Sequence, residues 1–435
     1  MKCNGIGLSK PRNPSLRNLH QGLLFIEHYE QQARLTIGIR TGATVTGLTL
    51  HQLHEEMRQW RRHLHQYPET AFEETGTAQF ISDKLTEFGL AVHRGLATTG
   101  VVATLSAGNS NKKIALRADM DALFIQEQNT FAHRSRHDGK MHACGHDGHS
   151  AMLLGAAKVL SGHHNFNGTV YFIFQPAEEG RAGAKKMIDD GLFEQFPADC
   201  VFGMHNFPDI PAGHFAVKIG PMMAAFDCFE ITLKGLATHA AMPHLGNDVI
   251  VASAQLITNL QTIVSRTVNP ADPAVVTITQ IHAGNTWNAI PDSVLLRGTF
   301  RCFDSVVQAL ITNKIRQQVD AICAAFSMAA ELTFNPENLG YPVTFNSAKE
   351  TALALQAATA VVGTDNIHTN PTPSMGSEDF AFMLQEKPGC YIWIGNGPSE
   401  NSCLLHNPHY DFNDGILAVG VAYWVKLVEI ILAKG

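Results

Sequence analysis

Residues 168–180 read GTVYFIFQPAEEG. Val170 to Phe174 is one unbroken apolar run. A half-buried strand would alternate apolar and polar residues, whereas a strand of a parallel sheet covered on both faces reads this way. Pro176 and two adjacent carboxylates, Glu178 and Glu179, follow at once.

The flanking chain extends the pattern. Upstream, Ile114 to Leu116 opens another strand, which runs into Arg117, Asp119 and Asp121. Ser150 to Leu160 is helical, with small residues that permit close packing. Downstream, Ala184 to Phe193 reads as a helix and Val201 to Met204 as a strand. Strands and helices in alternation predict an α/β layer with a mainly parallel sheet and helices on both faces. Before it, Leu50, Leu53, Met57, Trp60 and Leu64 fall on one helix face, and Pro68 ends that helix. Thr75 to Phe88 is a second helix, closed by Gly89.

The pattern changes near residue 227. Phe229, Ile231 and Leu233 alternate with polar residues. Asp248 to Ser265 is helical and Ala274 to Ile281 is strand-like. Val294, Leu296 and Phe300 face one way, with Arg297, Thr299 and Arg301 opposite. Asp304 caps a helix carrying Val307, Ile311, Ile315 and Val319, and Glu331 to Phe334 is a last strand. This β-α-β-β-α-β order predicts an inserted ferredoxin-like α+β domain over 227–336. Helix (351–362), strand (391–394) and helix (415–433) then resume the first pattern. The first domain is therefore expected to be discontinuous, over 46–226 and 337–435. Residues 1–45 show no sustained period and read as a disordered extension.

Composition excludes several functions. The 435 residues carry 32 Lys and Arg against 39 Asp and Glu, a formal charge of −7. A nucleic-acid binder usually needs a basic face. No apolar run approaches the roughly 18 residues of a membrane span, and Leu23 to Ile26 is too short for a signal-peptide core. A cytoplasmic location is expected. The eight cysteines form no C-x-x-C pair, so reduced thiols are expected.

Four places gather metal-ligand side chains. In Met141 to His149, Cys144 and His146 flank Gly145, and a thiolate with an imidazole suits a metal such as Zn(II). Glu178 and Glu179 follow the buried strand, where α/β sheets place ligands. One carboxylate could hold metal while the other acts as a base. Gly203-Met204-His205-Asn206 closes another strand. In Leu405 to Phe412, either His406 or His409 could coordinate. Each has a bland reading: a polar loop, a solvated turn, a structural histidine. Their joint occurrence favours one or two divalent ions. Asp119 and Asp121 read equally as partners of ligating histidines or as a charged turn.

The segments RRHLHQYPETAFEE, LRADMDAL, MHACGHDGHSAMLLGAA, QPAEEGRAGAKKMIDDGLF, PHLGNDVIVASAQ, NAIPD, GSEDFA and HNPHYDFND occur in that order across residues 50–433. Together they resemble the hippurate hydrolase and auxin-conjugate hydrolase branch of the aminoacylase–carboxypeptidase metallopeptidases. The resemblance implies a bimetallic amidohydrolase cleaving N-acyl amino acids, with two divalent ions, Mn or Zn. It implies Cys144, His146, Glu179, His205 and His406 as metal ligands and Glu178 as general base. It implies that His239 reaches a neighbouring subunit's site to stabilise the oxyanion. It also implies that Asn288 and Arg301 hold the substrate carboxylate, and that the chain is a homodimer through the inserted domain, which would close over the site. Two positions depart from the pattern. Phe124 stands where relatives often have Pro, and Asp119 where the wider superfamily has a His ligand. A dipeptidase or carboxypeptidase with the same centre, or a metal-holding protein without activity, are the alternatives.

Overall fold

The computed structural model describes residues 50–336, 340–397 and 403–434. The extension expected over 1–45 lies outside the described residues. Helices α1 (Leu50–Gln66) and α2 (Thr75–Glu87) come first. Strands β1 (Ala91–Leu96), β2 (Gly100–Ala107) and β3 (Lys113–Asp119) follow, then α3 (His146–His163), β4 (Gly168–Gln175) and α4 (Gly183–Asp189). Next are β5 (Cys200–Pro211), β6 (Phe215–Ala216) and β7 (Gly220–Met223). The inserted domain contains β8 (Ala225–Lys234), β9 (Thr238–His239), α5 (Val249–Thr262), β10 (Ala274–Ala283), β11 (Ala289–Ile290), β12 (Ser293–Cys302), α6 (Ser305–Phe326) and β13 (Ala329–Phe334). The chain returns through β14 (Thr344–Asn346), α7 (Ala348–Val362), β15 (Ile367–His368), α8 (Phe380–Glu386), β16 (Gly389–Gly397) and α9 (Leu417–Ile431).

Eight strands form the large sheet, in the order β1-β2-β4-β3-β5-β16-β6-β15. Its centre, β4-β3-β5-β16, is parallel. The apolar run in β4 has the cause its sequence suggested. Phe172 and Phe174 pack with Leu154, Phe202 and Val421 on one face. Tyr171 and Ile173 pack with Met187, Val201 and Met383 on the other. Each fully buried side chain of this size contributes about 1.5–3 kcal/mol. On the first face α3 packs against β3, α1 and α9.

β3 leads through α3 to β4 on one side, whereas β4 leads to β5 on the opposite side of β3. The strand order thus reverses between β3 and β5. The crevice beyond their carboxyl ends is where α/β sheets bind ligands. Asp119 ends β3, and Gly203 in β5 pairs with Arg117, so His205 overhangs that crevice.

The inserted domain has its own antiparallel sheet, β10-β12-β8-β13, the ferredoxin-like order. Phe229, Ile231, Leu233, Val294, Leu296 and Phe300 form its core with Leu256 and Leu260 of α5 and Ile311 and Ile315 of α6. Asp304 caps α6, accepting hydrogen bonds from Val306 N at 2.7 Å and Val307 N at 3.2 Å. Where the chain enters and leaves this domain, Phe226 and Tyr341 exchange both backbone hydrogen bonds (2.9 and 2.7 Å). That paired segment is the neck between the domains.

Three features differ from the sequence reading. β1 and β2 add antiparallel strands that the sequence reading did not mark; β1 is largely exposed, and β2 is largely buried between β1 and β4. Helix α3 begins at His146, inside the segment read as a loop. The helix expected over 184–193 stops at Asp189, because Gly191 takes a positive φ of 91° before a new turn at Leu192–Gln195.

Candidate metal centre

The backbone aims the ligand side chains. Gly145 adopts φ +93°, and a Cβ there would lie 2.3 Å from Asn206 Oδ1. Only glycine suits that left-handed, crowded position. The chain therefore turns sharply between Cys144 and His146, and His146 starts α3. Glu178 and Glu179 sit on a turn bracketed by Ala177 (φ 56°) and Ala182 (φ 52°), both left-handed. His406 has φ +63°, and its N–H donates to the Ala143 carbonyl at 2.8 Å, tying the C-terminal loop to the Cys144 loop.

These elements bring five of the candidate ligands together. Cys144, Glu179 and His406 present ligand atoms within 4.8 Å of one another, as do His146, Glu178 and Glu179. Cys144 Sγ lies 3.5 Å from His205 Nε2, and His406 Nε2 lies 3.2 Å from Glu179 Oε1. His409 is exposed and outside these groups.

The donor set fits a divalent ion. His205 Nδ1 lies 2.7 Å from the Asn206 carbonyl, to which it can only donate, so Nε2 is left to ligate. His146 Nδ1 lies 3.2 Å from Asp121 Oδ1. Its Nε2 is buried without a hydrogen-bond partner among the described residues, and Glu179 Oε1 has only the 3.2 Å contact with His406 Nε2, which makes no hydrogen bond. Buried polar atoms are rarely left unpaired, and a cation would satisfy both. A carboxylate behind a histidine is the usual way a protein fixes a ligating ring.

The electrostatics point the same way. Burial and the neighbouring Glu378, Glu179 and Asp379 carboxylates push Glu178 well above its usual range. Burial, Glu179 and Glu178 push the Cys144 thiol up. Burial and His149 hold His205 well below its ordinary value, hence neutral. Burial opposes protonation of His146, but Asp119 and Asp121 outweigh it and push His146 up to about 10. This concentration of negative charge makes bound cations favourable, and they would reverse the carboxyl and thiol shifts.

Asp119 and Asp121 are not a solvated turn, since both are buried. Asp121 also accepts the Glu179 N–H at 2.9 Å. Asp119 lies 2.5 Å from His149 Nδ1 and accepts from Arg117 at 2.8 Å. His149, one helical turn past His146, lies with Asp119, His146 and His205 in a further potential ligand group. Sequence reading passed over it, although i and i+3 spacing on α3 would have shown it. It also passed over Arg117, Glu378 and Asp379. The buried Arg117 guanidinium donates to Asp119, Glu378 (2.8 Å) and Asp379 (3.0 Å) at once. Burial pushes Asp379 up to about 8, with Arg117 opposing and Glu378 adding to the rise.

A cavity of about 420 Å³ opens over the cluster. Cys144, Glu178, Glu179, His205 and His406 line one part, and Phe207, Met223, Phe226 and Trp393 supply apolar wall. Trp393 lies opposite His205 in the sheet register, and its ring stacks on Phe207 with centroids 4.4 Å apart. Arg301 faces the same cavity. Its guanidinium lies over the Phe226 ring at 4.5 Å and donates to the Met375 carbonyl at 2.6 Å. It has no carboxylate partner among the described residues. His239 and Asn288 are elsewhere, both exposed, His239 in β9 and Asn288 just before β11, two short strands distant in sequence that pair antiparallel. The Ala240 N–H donates to the Asn288 carbonyl at 2.9 Å, so the two belong to one unit.

Comparison with known proteins yields a consistent set. Residues 115–430 match the model of peptidase family M20/M25/M40. The chain is 42% identical over 376 residues to a hippurate hydrolase of Campylobacter jejuni, covering 86% of this chain and 96% of that one. It is 40% identical over 372 residues to an N-acetyl-L-cysteine deacetylase of Bacillus subtilis, covering 84% and 86%. Among solved structures, the Bacillus subtilis YXEP protein, described as a dinuclear metal-binding peptidase, superposes with a TM-score of 0.75. That pair is 36% identical and covers 88% of this chain and 99% of that one.

Proposed function

The chain belongs to peptidase family M20/M25/M40 and is an amide-bond hydrolase, and from that premise we propose that it cleaves N-acyl amino acids into a carboxylic acid and a free amino acid. The observation that carries the substrate class is Arg301, a cation without a carboxylate partner among the described residues, facing the cavity that holds the ligand cluster. Guanidinium groups grip carboxylates by two parallel hydrogen bonds. A free carboxylate on the substrate would complete the site. An internal peptide bond offers none there. The relatives named as a hippurate hydrolase and an N-acetyl-L-cysteine deacetylase act on such conjugates.

Cys144, His146, Glu179, His205 and His406 would hold two divalent ions. When bound, these supply an acidified water and a polarised carbonyl. The soft Cys144 sulfur favours Zn(II), and the carboxylates suit Mn(II). Glu178 takes the proton of the attacking water on its carboxylate and delivers it to the leaving nitrogen. It is suited to this by near-complete burial, which keeps bulk water from competing for that proton. The Phe207–Trp393 stack supports an apolar, aromatic acyl group lying beside the cluster.

His239, as oxyanion stabiliser, and Asn288, as carboxylate ligand, act from the exposed β9–β11 pair. We place their target in a second copy of the chain, with the inserted domain (227–336) as both lid and dimer surface. The edge strand β10 and the exposed apolar residues Ile250, Val251, Val275 and Ile281 support that surface. The seven described cysteines are free, which supports a cytoplasmic setting. Among the described residues no helix is long and apolar enough to cross a membrane.

The test is amine release from N-acetyl, N-benzoyl and indole-acyl amino acids and from simple dipeptides, after chelation and with Zn(II) or Mn(II) restored. Metal-dependent release from the acyl amino acids, strongest with aromatic acyl groups, is expected. Release confined to dipeptides would transfer the chain to the peptidase reading.

A further inference from the structure

The turn that carries Glu178 is closed by one backbone hydrogen bond, from the Gly183 N–H to the Ala177 carbonyl at 3.0 Å, but its conformation is strained. Ala177 and Ala182 are left-handed, Gly180 has φ 75°, and Glu179 has non-helical angles of −70° and 80°. Alanine in that region costs about 1–2 kcal/mol. Such a conformation persists only where surrounding groups over-determine it. Here Glu74 accepts from Ala177 N at 3.0 Å, Asp121 accepts from Glu179 N at 2.9 Å, and Asp379 accepts from Ala184 N at 2.9 Å. These clamps all belong to the large domain.

One further clamp comes from the neck. The Tyr341 hydroxyl donates to the Glu178 carbonyl at 2.6 Å and accepts from the Ala182 N–H at 3.2 Å. A single oxygen thus bridges both ends of the turn. Tyr341 is only 5% exposed. Its backbone pairs with Phe226 in both directions, and the two rings meet edge to face at 6.4 Å. The Arg301 guanidinium lies over that Phe226 ring. Arg301, Phe226, Tyr341 and Glu178 therefore form one continuous series of contacts.

We propose that Tyr341 is a positioning residue that registers the Glu178 turn against the neck, so that a substrate carboxylate drawn onto Arg301 is felt at Glu178 through Phe226 and the Tyr341 hydroxyl. Tyr341 touches no reacting atom. It fixes where the Glu178 backbone sits, and hence the aim of its carboxylate. The inference rests on the reading of Glu178 as base and Arg301 as carboxylate ligand. It adds that the two act together, with the free carboxylate contributing to turnover as well as to binding.

The test compares wild type with Tyr341→Phe, both as full-length chains reloaded with metal, on N-benzoylglycine and its primary amide. The variant keeps the ring and the neck pairing and removes only the hydroxyl. Metal content should be unchanged and KM for N-benzoylglycine should stay within about twofold. Its kcat should fall about ten- to a hundredfold, as when reacting groups lose their alignment. The wild-type advantage of acid over amide in kcat should also shrink, because the link to Arg301 is cut. A kcat within about twofold of wild type, with the acid-to-amide ratio intact, overturns the proposal. If Tyr341→Phe loses metal or does not fold, Phe226→Leu decides. It leaves the hydroxyl in place and removes the ring between Arg301 and Tyr341, so an unchanged acid-to-amide ratio in kcat overturns the proposal. A wild type inactive on both compounds would remove the hydrolase reading itself.

Discussion

Asp121 and His146 are joined by a 3.2 Å contact between Oδ1 and Nδ1, and the other Asp121 oxygen accepts the Glu179 N–H at 2.9 Å. One buried carboxylate therefore orients two of the residues assigned to metal. It fixes which imidazole nitrogen faces the cluster, and it fixes the backbone behind Glu179. Asp121→Asn should weaken metal binding about 10–100-fold, the usual effect of removing such a partner. Turnover at saturating metal should suffer much less. Titration against a chelator of known affinity measures the first, and rates at high metal the second. Unaltered affinity would show that Asp121 has no orienting role.

On the proposed reading Arg301 holds the substrate carboxylate, so its loss should be felt by acids and not by their amides. Arg301→Ala should lower kcat/KM for N-benzoylglycine about 10–100-fold, the range for losing a charge-assisted hydrogen bond. The primary amide should be nearly indifferent to the change. Steady-state kinetics on both compounds settle the matter, and equal losses on the two would remove the carboxylate assignment.

Gly145 admits no side chain. An alanine there would carry its Cβ to 2.3 Å from Asn206 Oδ1, at a backbone φ of +93°. Gly145→Ala should destabilise the fold by more than about 1 kcal/mol, and it should lower metal content, since Cys144 and His146 flank it. Calorimetry with metal analysis checks both. A variant with normal metal content and melting temperature would mean the turn is less constrained than its geometry shows.

A buried network behind the centre sets a pH dependence of stability. His65 lies 2.9 Å from Asp147 and 3.3 Å from Glu127. Burial opposes its charge, but these two carboxylates raise it to about 9, from 6.5 for a free histidine. Between those values the folded chain holds a proton that the unfolded chain has released. The stabilisation is complete below about pH 6.5 and is lost as pH rises through about 9, on the order of 3 kcal/mol in all. Denaturant unfolding from pH 6.5 to 9 should show this decline, and His65→Gln should abolish that part of it. A wild-type stability flat across the window would contradict the assignment.

The sequence disclosed the large sheet because β4 is apolar on both faces, and both faces are covered. It disclosed the inserted domain because β12 alternates cleanly around Val294, Leu296 and Phe300. The ligand clusters were legible as short motifs at strand ends. What stayed hidden depends on partners far away in the chain. Arg117 looked like a member of a charged turn, and nothing nearby shows that Glu378 and Asp379, about 260 residues on, neutralise it in the core. Tyr341 follows a strand in an unremarkable stretch, and only the fold carries its hydroxyl to Glu178. The helical start at His146 was obscured because Gly145, usually a helix breaker, here serves the turn that launches the helix.

On the proposed reading Glu178 supplies the proton transfer for amide hydrolysis at a metal-loaded centre. The most direct measurement is amine release from N-benzoylglycine by wild type and Glu178→Gln, matched in metal content. Full metal occupancy in the variant and a loss of about 10²–10⁴ in kcat, the range for a general acid–base, are expected. A Glu178→Gln enzyme with its metal intact and near-wild-type turnover would contradict that reading.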